Sequence, residues 1–422
     1  MLEILGNVSF RRLFTAQVVA LVGTGLLTVA LGLLAYDLAG SAAGAVLGTA
    51  LAIKMFAYVV VAPVISAASY RVSRRVLLVG SDAVRASIAL LLPFVDQTWQ
   101  IYALIFALQA ASATFTPTFQ AVVPNVLIAE QDYTRGLALS RLAYDLETLL
   151  SPVLAAALLT VLTYNYLFLG TVLGFVTSAA LVLRTDLPRV LSERSAESFW
   201  QRTTSGARIM VRRPVLRALL ALNLAVASAT ALVVVNTVVY VHDVLDSSSA
   251  AVAVLLAFYG GGSMLVALSM QRLLSRISDR RVMVTGAALT SVTLAATAIL
   301  LLAEPPAGVG WVVFALAWLS LGIGASLINT PAARLVRYES EPGSRAAVFA
   351  AQFSLSHACF FVTYPLAGWL GVVAGQPVAA GALGGLAVLA TVVAARTWPV
   401  TRAYVAATPR SPGDVLSLPR RR

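Results

Sequence analysis

The sequence predicts an all-α integral membrane protein with twelve transmembrane helices arranged as two six-helix repeats. Three observations carry this: an apolar composition, twelve apolar windows of spanning length broken by one polar gap, and arginines confined to alternate loops. Hydrophobic residues make up 59% of the 422 and charged residues 11%; soluble domains carry roughly 25% charged residues. A water-soluble fold has no place for so much apolar surface, whereas a bilayer accepts it.

The windows fall near 13–36, 42–69, 76–95, 98–120, 137–160 and 165–183, then near 215–241, 249–271, 282–302, 309–331, 346–371 and 378–399. Each reaches the length of about 20 residues that a helix needs to cross a bilayer. The expected organisation is a first bundle over 1–183, a linker over 184–213, a second bundle over 214–399 and a basic tail over 400–422.

Arginine sets the expected orientation. The chain has 29 arginines and one lysine, Lys54, within a net charge of +12. Arg11 and Arg12 precede the first span; Arg71, Arg74 and Arg75 lie between spans two and three, and Arg135 between four and five. The polar gap holds Arg184, Arg189, Arg194, Arg202, Arg208, Arg212 and Arg213. Arg272, Arg276, Arg280 and Arg281, then Arg334, Arg337 and Arg345, fill the corresponding later loops, and the tail is rich in arginine. Alternating helices put all of these on one side. The other side offers Asp37, Asp96, His242, Asp243, Asp246 and Glu304, and no arginine. The positive-inside rule then places both termini in the cytoplasm and the chain in the cytoplasmic membrane. It also accounts for the positive charge as topological anchoring with contact to anionic lipid, which argues against a nucleic-acid partner. One cysteine, Cys359, excludes a disulfide framework within the chain. The first apolar stretch is too long for a signal-peptide core, so no cleaved leader is expected.

Punctuation repeats between the halves. Thr116-Pro117 is expected to end the fourth span and Thr330-Pro331 the tenth, with the prolines 214 residues apart. Pro152 and Pro365 interrupt the fifth and eleventh at an offset of 213 residues, and Arg74-Arg75-Val76 matches Arg280-Arg281-Val282 at an offset of 206. A duplicated six-helix unit explains this, and parallel repeats of that kind build transporters that rock about a midplane site.

Three stretches resemble one family: Phe10-Arg11-Arg12-Leu13-Phe14 through Leu34-Ala35-Tyr36-Asp37-Leu38, Tyr70-Arg71-Val72-Ser73-Arg74-Arg75, and Thr116-Pro117-Thr118-Phe119-Gln120-Ala121-Val122-Val123-Pro124. They are similar to the major facilitator superfamily, and within it to the proton-linked efflux branch that includes macrolide and siderophore exporters. The second stretch has Tyr70 where most members carry aspartate. Ser151-Pro152-Val153-Leu154-Ala155-Ala156 resembles the antiporter signature with each glycine replaced by another small residue, which still lets helices approach closely. Leu142-Ala143-Tyr144-Asp145-Leu146-Glu147, Ser356-His357-Ala358-Cys359 and Tyr364-Pro365-Leu366-Ala367-Gly368-Trp369 resemble a subgroup with nickel-resistance exporters, although the tail here has no histidine. The resemblance implies the major facilitator fold, a monomer embedded in lipid, and a secondary transporter that exports a small organic solute against protons.

Ionisable residues within spans are functional candidates by default, because charge in the bilayer core is costly. Glu147 and Asp145 lie roughly 200° apart around one helix and face different ways. Arg141, four residues from Asp145, should hold it ionised, which leaves Glu147 as the better proton carrier. Lys54 is placed mid-span and, unlike arginine, can lose its proton when desolvated. His357 suits proton exchange or metal ligation. Proton coupling is therefore assigned to Glu147, Asp145, Lys54 and His357. Asp82 and Arg85 share a helix face and are read as a structural pair or, with Arg71, Arg74 and Arg75, as a gate. Gln17, Gln109, Tyr144, Asn223 and Tyr364, with Asn329, are candidates to line a polar cavity. Nothing resembles a nucleotide-binding loop, so an ion gradient rather than a nucleotide should supply the energy, and no enzyme activity, resident metal or cofactor is expected. Two other readings stand beside organic export: a nickel or cobalt exporter using Glu147, Asp145 and His357, and a non-transporting scaffold or sensor.

Overall fold

A computed structural model describes residues 2–58, 72–127, 129–187, 199–303, 306–341 and 344–399. The described residues form helices and no strand. The first half comprises α1 (Val8–Ala39), α2 (Ala43–Phe56), α3 (Arg74–Leu91), α4 (Thr98–Val126), α5 (Glu130–Leu159) and α6 (Asn165–Leu183). The second comprises α7 (Pro214–Ala231), α8 (Ser249–Leu274), α9 (Asp279–Ala303), α10 (Ala307–Glu339), α11 (Arg345–Val373) and α12 (Gln376–Thr397). Between them lies an amphipathic helix, Phe199–Arg212. Nine stretches among the described residues are long and apolar enough to cross a membrane, and the first, Val8–Phe56, holds both α1 and α2.

Local chemistry sets several helix ends. The Asn7 side chain accepts from the Phe10 amide to start α1, and Ser73 accepts from Val76 to start α3; each satisfies an orphan donor of the first turn. Gln97 and Gln100 cap α4 reciprocally. Gly40, at φ +53°, lets the chain turn sharply from α1 into α2.

One sequence expectation needs correction. Pro117 and Pro331 do not end their helices: α4 runs on to Val126 and α10 to Glu339. A membrane helix absorbs proline because neighbouring helices and hydroxyls take over the freed backbone groups. The linker over 184–213 contains the amphipathic helix, which packs on α11. There a β-carbon on Gly206 would overlap the Ala347 carbonyl.

The packing is internally symmetric. In the first half α6 packs on α1 and α3, and α3 on α4; in the second α12 packs on α7 and α9, and α9 on α10. Advancing each first-half helix by six gives its counterpart. The contacts between halves, α2 with α11 and α5 with α8, exchange with each other under the same operation. Two six-helix repeats related by a pseudo-twofold axis produce this pattern. Large apolar side chains such as Leu173, Val292, Leu316 and Leu389 point away from the bundle, as a surface solvated by lipid tails requires.

Candidate functional site: a cavity between the two halves

The halves are joined at the arginine-poor end. On α2 and α11, small residues bring backbones together: a β-carbon on Gly368 would overlap the Gly44 carbonyl, and one on Gly48 would lie 3.4 Å from the Gly368 Cα. Beside this seam Trp369 Nε1 donates to Thr49 Oγ1 at 3.0 Å. On α1 and the π-helical continuation of α7, Tyr240–Val244, the Tyr36 hydroxyl donates to Asp243 and the Tyr36 ring stacks on His242 at 4.4 Å. Tyr164, at the start of α6, donates to Asp37. Burial, then the Asp37 carboxylate, push the Tyr164 hydroxyl up, so it stays a donor.

On the arginine-rich side of this seal lies a cavity of about 340 Å³, at the small end of the 300–1,000 Å³ usual for ligand pockets. The first half supplies Gly25 and Thr28 from α1 and Glu147, Ser151 and Pro152 from α5. The second half supplies Val226 and Thr230 from α7, Tyr259 and Ser263 from α8, Ser326, Asn329 and Thr330 from α10, and Phe360 from α11, with further aliphatic side chains. One wall thus carries a carboxylate, and the other carries neutral hydroxyls, an amide and aromatic rings. The second wall is braced: Thr230 and Tyr259 share a hydrogen bond of 3.0 Å, and Ser326 Oγ donates to the Ser263 carbonyl at 3.0 Å. β-carbons on Gly262 and Gly322 would each overlap the other helix's backbone, so α8 and α10 lie in direct backbone contact behind Tyr259.

Lys54 of α2 lies within electrostatic reach of Glu147 and of His357 of α11, and among the described residues it forms no ion pair with Glu147. Tyr58, one turn beyond Lys54, packs edge-on to His357 with ring centroids 5.8 Å apart. His357 Nδ1 lies 2.7 Å from the Phe353 carbonyl, and its ring tilts against the Phe353 ring at 4.1 Å. Of the four expected proton-coupling residues, Glu147 lines the cavity, and Lys54 and His357 lie on the neighbouring α2 and α11. The Asp145 side chain lies outside the described residues, as do Tyr144 and Arg71.

Asp82 and Arg85 form a buried ion pair inside the first half. The Arg85 guanidinium sits between Phe115 of α4 and Phe175 of α6, 4.3 and 4.4 Å from their ring centroids, a cation–π clamp. Arg75 Nη2 donates to the Thr185 carbonyl at 2.6 Å, also within that half, and Arg74 begins α3. Of the expected cavity residues whose side chains are described, Asn329 alone is among the lining. Gln17 and Gln109 are buried, and Tyr364 puts its backbone carbonyl in the α2–α11 seam while its buried ring stacks on that of the cavity-lining Phe360 at 5.4 Å. Asn223 accepts from Gln352 Nε2 at 3.2 Å. The sequence reading missed Gly25, Thr230, Tyr259, Ser263 and Ser326. Their one signal was polarity or smallness at mid-span, which Gln17 and Gln109 share.

Comparison with known proteins agrees with this architecture. A variant of the nucleoside transporter NupG superposes with a TM-score of 0.75 at 13% identity, covering 92% of this chain and all of that one. A bacterial homologue of the human lysosomal transporter Spinster, solved inward-facing and unoccupied, superposes with a TM-score of 0.69 at 11% identity over 93% of this chain and 98% of its own. In sequence the chain is 25% identical over 189 residues to Macrolide efflux protein A of Streptococcus pyogenes, covering 44% of this chain and 46% of that protein. It is 27% identical over 138 residues to the Enterococcus faecalis protein of the same name, covering 32% and 42% respectively. The chain thus spans less than half the length of the curated relatives it matches. The family profile described as Major Facilitator Superfamily matches residues 13–267. With that match over more than half its length, the chain belongs to the Major Facilitator Superfamily.

Proposed function

We propose that this protein is a secondary exporter in which the Glu147 carboxylate trades protons across the cytoplasmic membrane for a small organic solute held in the cavity between the halves. The observation that carries the reading is Glu147 itself: a mid-span carboxylate in the wall of a closed-ended cavity, with Lys54 as its cationic neighbour. Such a pair has two stable charge states. Protonating Glu147 releases Lys54, and deprotonating it restores the attraction. Either change alters the forces between α5 and α2 beside the cavity. That is the kind of charge-dependent switch that a gradient-driven cycle needs.

An organic solute suits the walls better than a metal ion does. Phe360, Tyr259, Val226 and Met264 offer apolar contact, and Thr230, Ser263, Ser326 and Asn329 offer hydrogen bonds. A divalent cation next to Glu147 and His357 would face the Lys54 ammonium, and nickel prefers a set of nitrogen and oxygen ligands. The names of the matched relatives support efflux, and the arginine distribution supports a cytoplasmic arginine-rich face. In that orientation the seal at Tyr36–Asp243 closes the outer face and the cavity belongs to the inward-facing side.

The test uses purified protein in proteoliposomes with a trapped pH dye and a panel of organic solutes, macrolides included. Wild type moves protons when a cargo is added. Glu147→Gln, fixed in a protonated-like state, keeps cargo exchange between two pools and loses cargo-driven proton movement. Normal proton movement in Glu147→Gln overturns the assignment.

A further inference from the structure

We infer that Gly25 of α1 is a positioning residue for the Glu147 carboxylate, a role resting on the proton-carrier reading of Glu147. A β-carbon at position 25 would overlap both Ser151 Cβ and Ser151 Oγ and would come within 2.9 Å of Glu147 Oε1. Ser151 lies one turn beyond Glu147 on the same face of α5, and both line the cavity with Gly25. The missing side chain therefore lets α5 lie directly against the α1 backbone where the carboxylate enters the cavity.

What makes this a constraint rather than ordinary close packing is that α1 has no room to recoil. Two residues away, on its other face, a β-carbon on Gly23 would stand 3.2 Å from the Thr171 carbonyl oxygen and 3.6 Å from the Gly174 Cα of α6. Thr171 Oγ1 donates to the Gly23 carbonyl at 2.8 Å. So α1 is pinned between α5 and α6 at a single level. The atom that a new methyl would meet is Ser151 Cβ, fixed to the backbone and not the free end of a long side chain. The strain must pass to α5, and α5 yields beside Ser151 because Pro152 there withholds an amide from the helix ladder. Moving α5 at Ser151 moves Glu147 relative to the charged and titratable groups that face it: Lys54 on α2, His357 on α11 through Lys54, and the Tyr259 phenol across the cavity on α8.

The experiment compares Gly25→Ala, Ser151→Gly and Gly25→Ala/Ser151→Gly in proteoliposomes, with Glu147→Gln alongside. Expression and thermal midpoint are followed beside cargo exchange and cargo-driven proton flux. In Gly25→Ala, exchange should persist while protons moved per cargo fall well below the wild-type ratio, since misplacing a reacting group by about 1 Å can cost on the order of 10²-fold in rate. Ser151→Gly removes the atoms the methyl strikes, so the double variant should recover protons moved per cargo relative to Gly25→Ala, whatever the two substitutions do to cargo affinity at the cavity wall. A purely structural role for Gly25 predicts loss of exchange and of proton flux together, and no recovery of their ratio. Wild-type coupling in Gly25→Ala overturns the inference, and so does a coupling defect that Ser151→Gly leaves unrepaired. Should Gly25→Ala alone not fold, a folded and coupled double variant supports the inference and an unfolded one overturns it. Normal coupling in Glu147→Gln removes the underlying reading instead, whatever Gly25→Ala does.

Discussion

The Tyr36 hydroxyl of the first half donates to the Asp243 carboxylate of the second, while the Tyr36 ring lies stacked on His242. A hydrogen bond to a charged group contributes about 1.5–3 kcal/mol. Tyr36→Phe keeps the ring stack and removes only that bond. It should therefore shift the equilibrium toward opening of the arginine-poor end by about tenfold or more. Spin labels at Ser41 and Ser248, on the neighbouring turns, would read this as a larger fraction of long distances. An unchanged distribution would mean that the α2–α11 seam alone holds the end closed.

The glycine seam sets a second expectation. Gly44, Gly48 and Gly368 let α2 and α11 touch through backbone, so Gly368→Leu should prevent that end from closing. The same labels should then report the long distance as dominant, and cargo exchange should fall with it.

Orientation is tested independently of activity. Reporter fusions at Pro188 and after the last residue should report the cytoplasm, and one at Ser247 the outside. The arginine asymmetry requires that outcome, and a cytoplasmic report from Ser247 would reverse the assignment of the seal to the outer face.

The Asp82–Arg85 pair separates a structural role from a gating role. Removing one partner of a buried pair costs about 3–5 kcal/mol because the other charge is left without compensation. Asp82→Asn should lower the thermal midpoint of the purified protein strongly, and Asp82→Asn/Arg85→Met much less. Retained stability with lost transport in Asp82→Asn would instead return the pair to the gate, together with Arg75.

The helices were legible because span length and lipid-facing apolarity are local properties, and each expected window overlaps a helix where the residues are described. Helix ends at proline were not, because the outcome depends on what the neighbouring helices supply; Pro331 stands inside α10 rather than at its end. Glu147, Lys54 and His357 stood out as charge or imidazole in apolar spans. Their placement did not, since α2 meets α11, and α5 meets the second half, only through the packing of the two halves. The hydroxyl wall was hidden for another reason. Thr230, Tyr259 and Ser326 are ordinary residues for a membrane helix, and only the rotation of α7, α8 and α10 turns them to the cavity while Gln17 and Gln109 turn inward.

The relation between Lys54 and Glu147 yields the most direct double-variant test. Opposite charges at Lys54 and Glu147 attract each other within the span, so neutralising one removes that attraction for the other. Lys54→Met should lower thermal stability if Glu147 were forced to stay ionised in its apolar surroundings. Glu147 has an escape that Arg85 lacks: it can take up a proton. Lys54→Met should therefore hold Glu147 neutral, reproducing the behaviour of Glu147→Gln, with cargo exchange kept and proton movement lost. Lys54→Met/Glu147→Gln should then be no worse than either single variant, because the second substitution removes a charge the first has already extinguished. Exchange, proton flux and thermal midpoint measured on all four proteins complete the cycle. Additive losses in proton flux would show that the two residues act separately, and Lys54 would then belong with His357 in a relay that does not pass through Glu147.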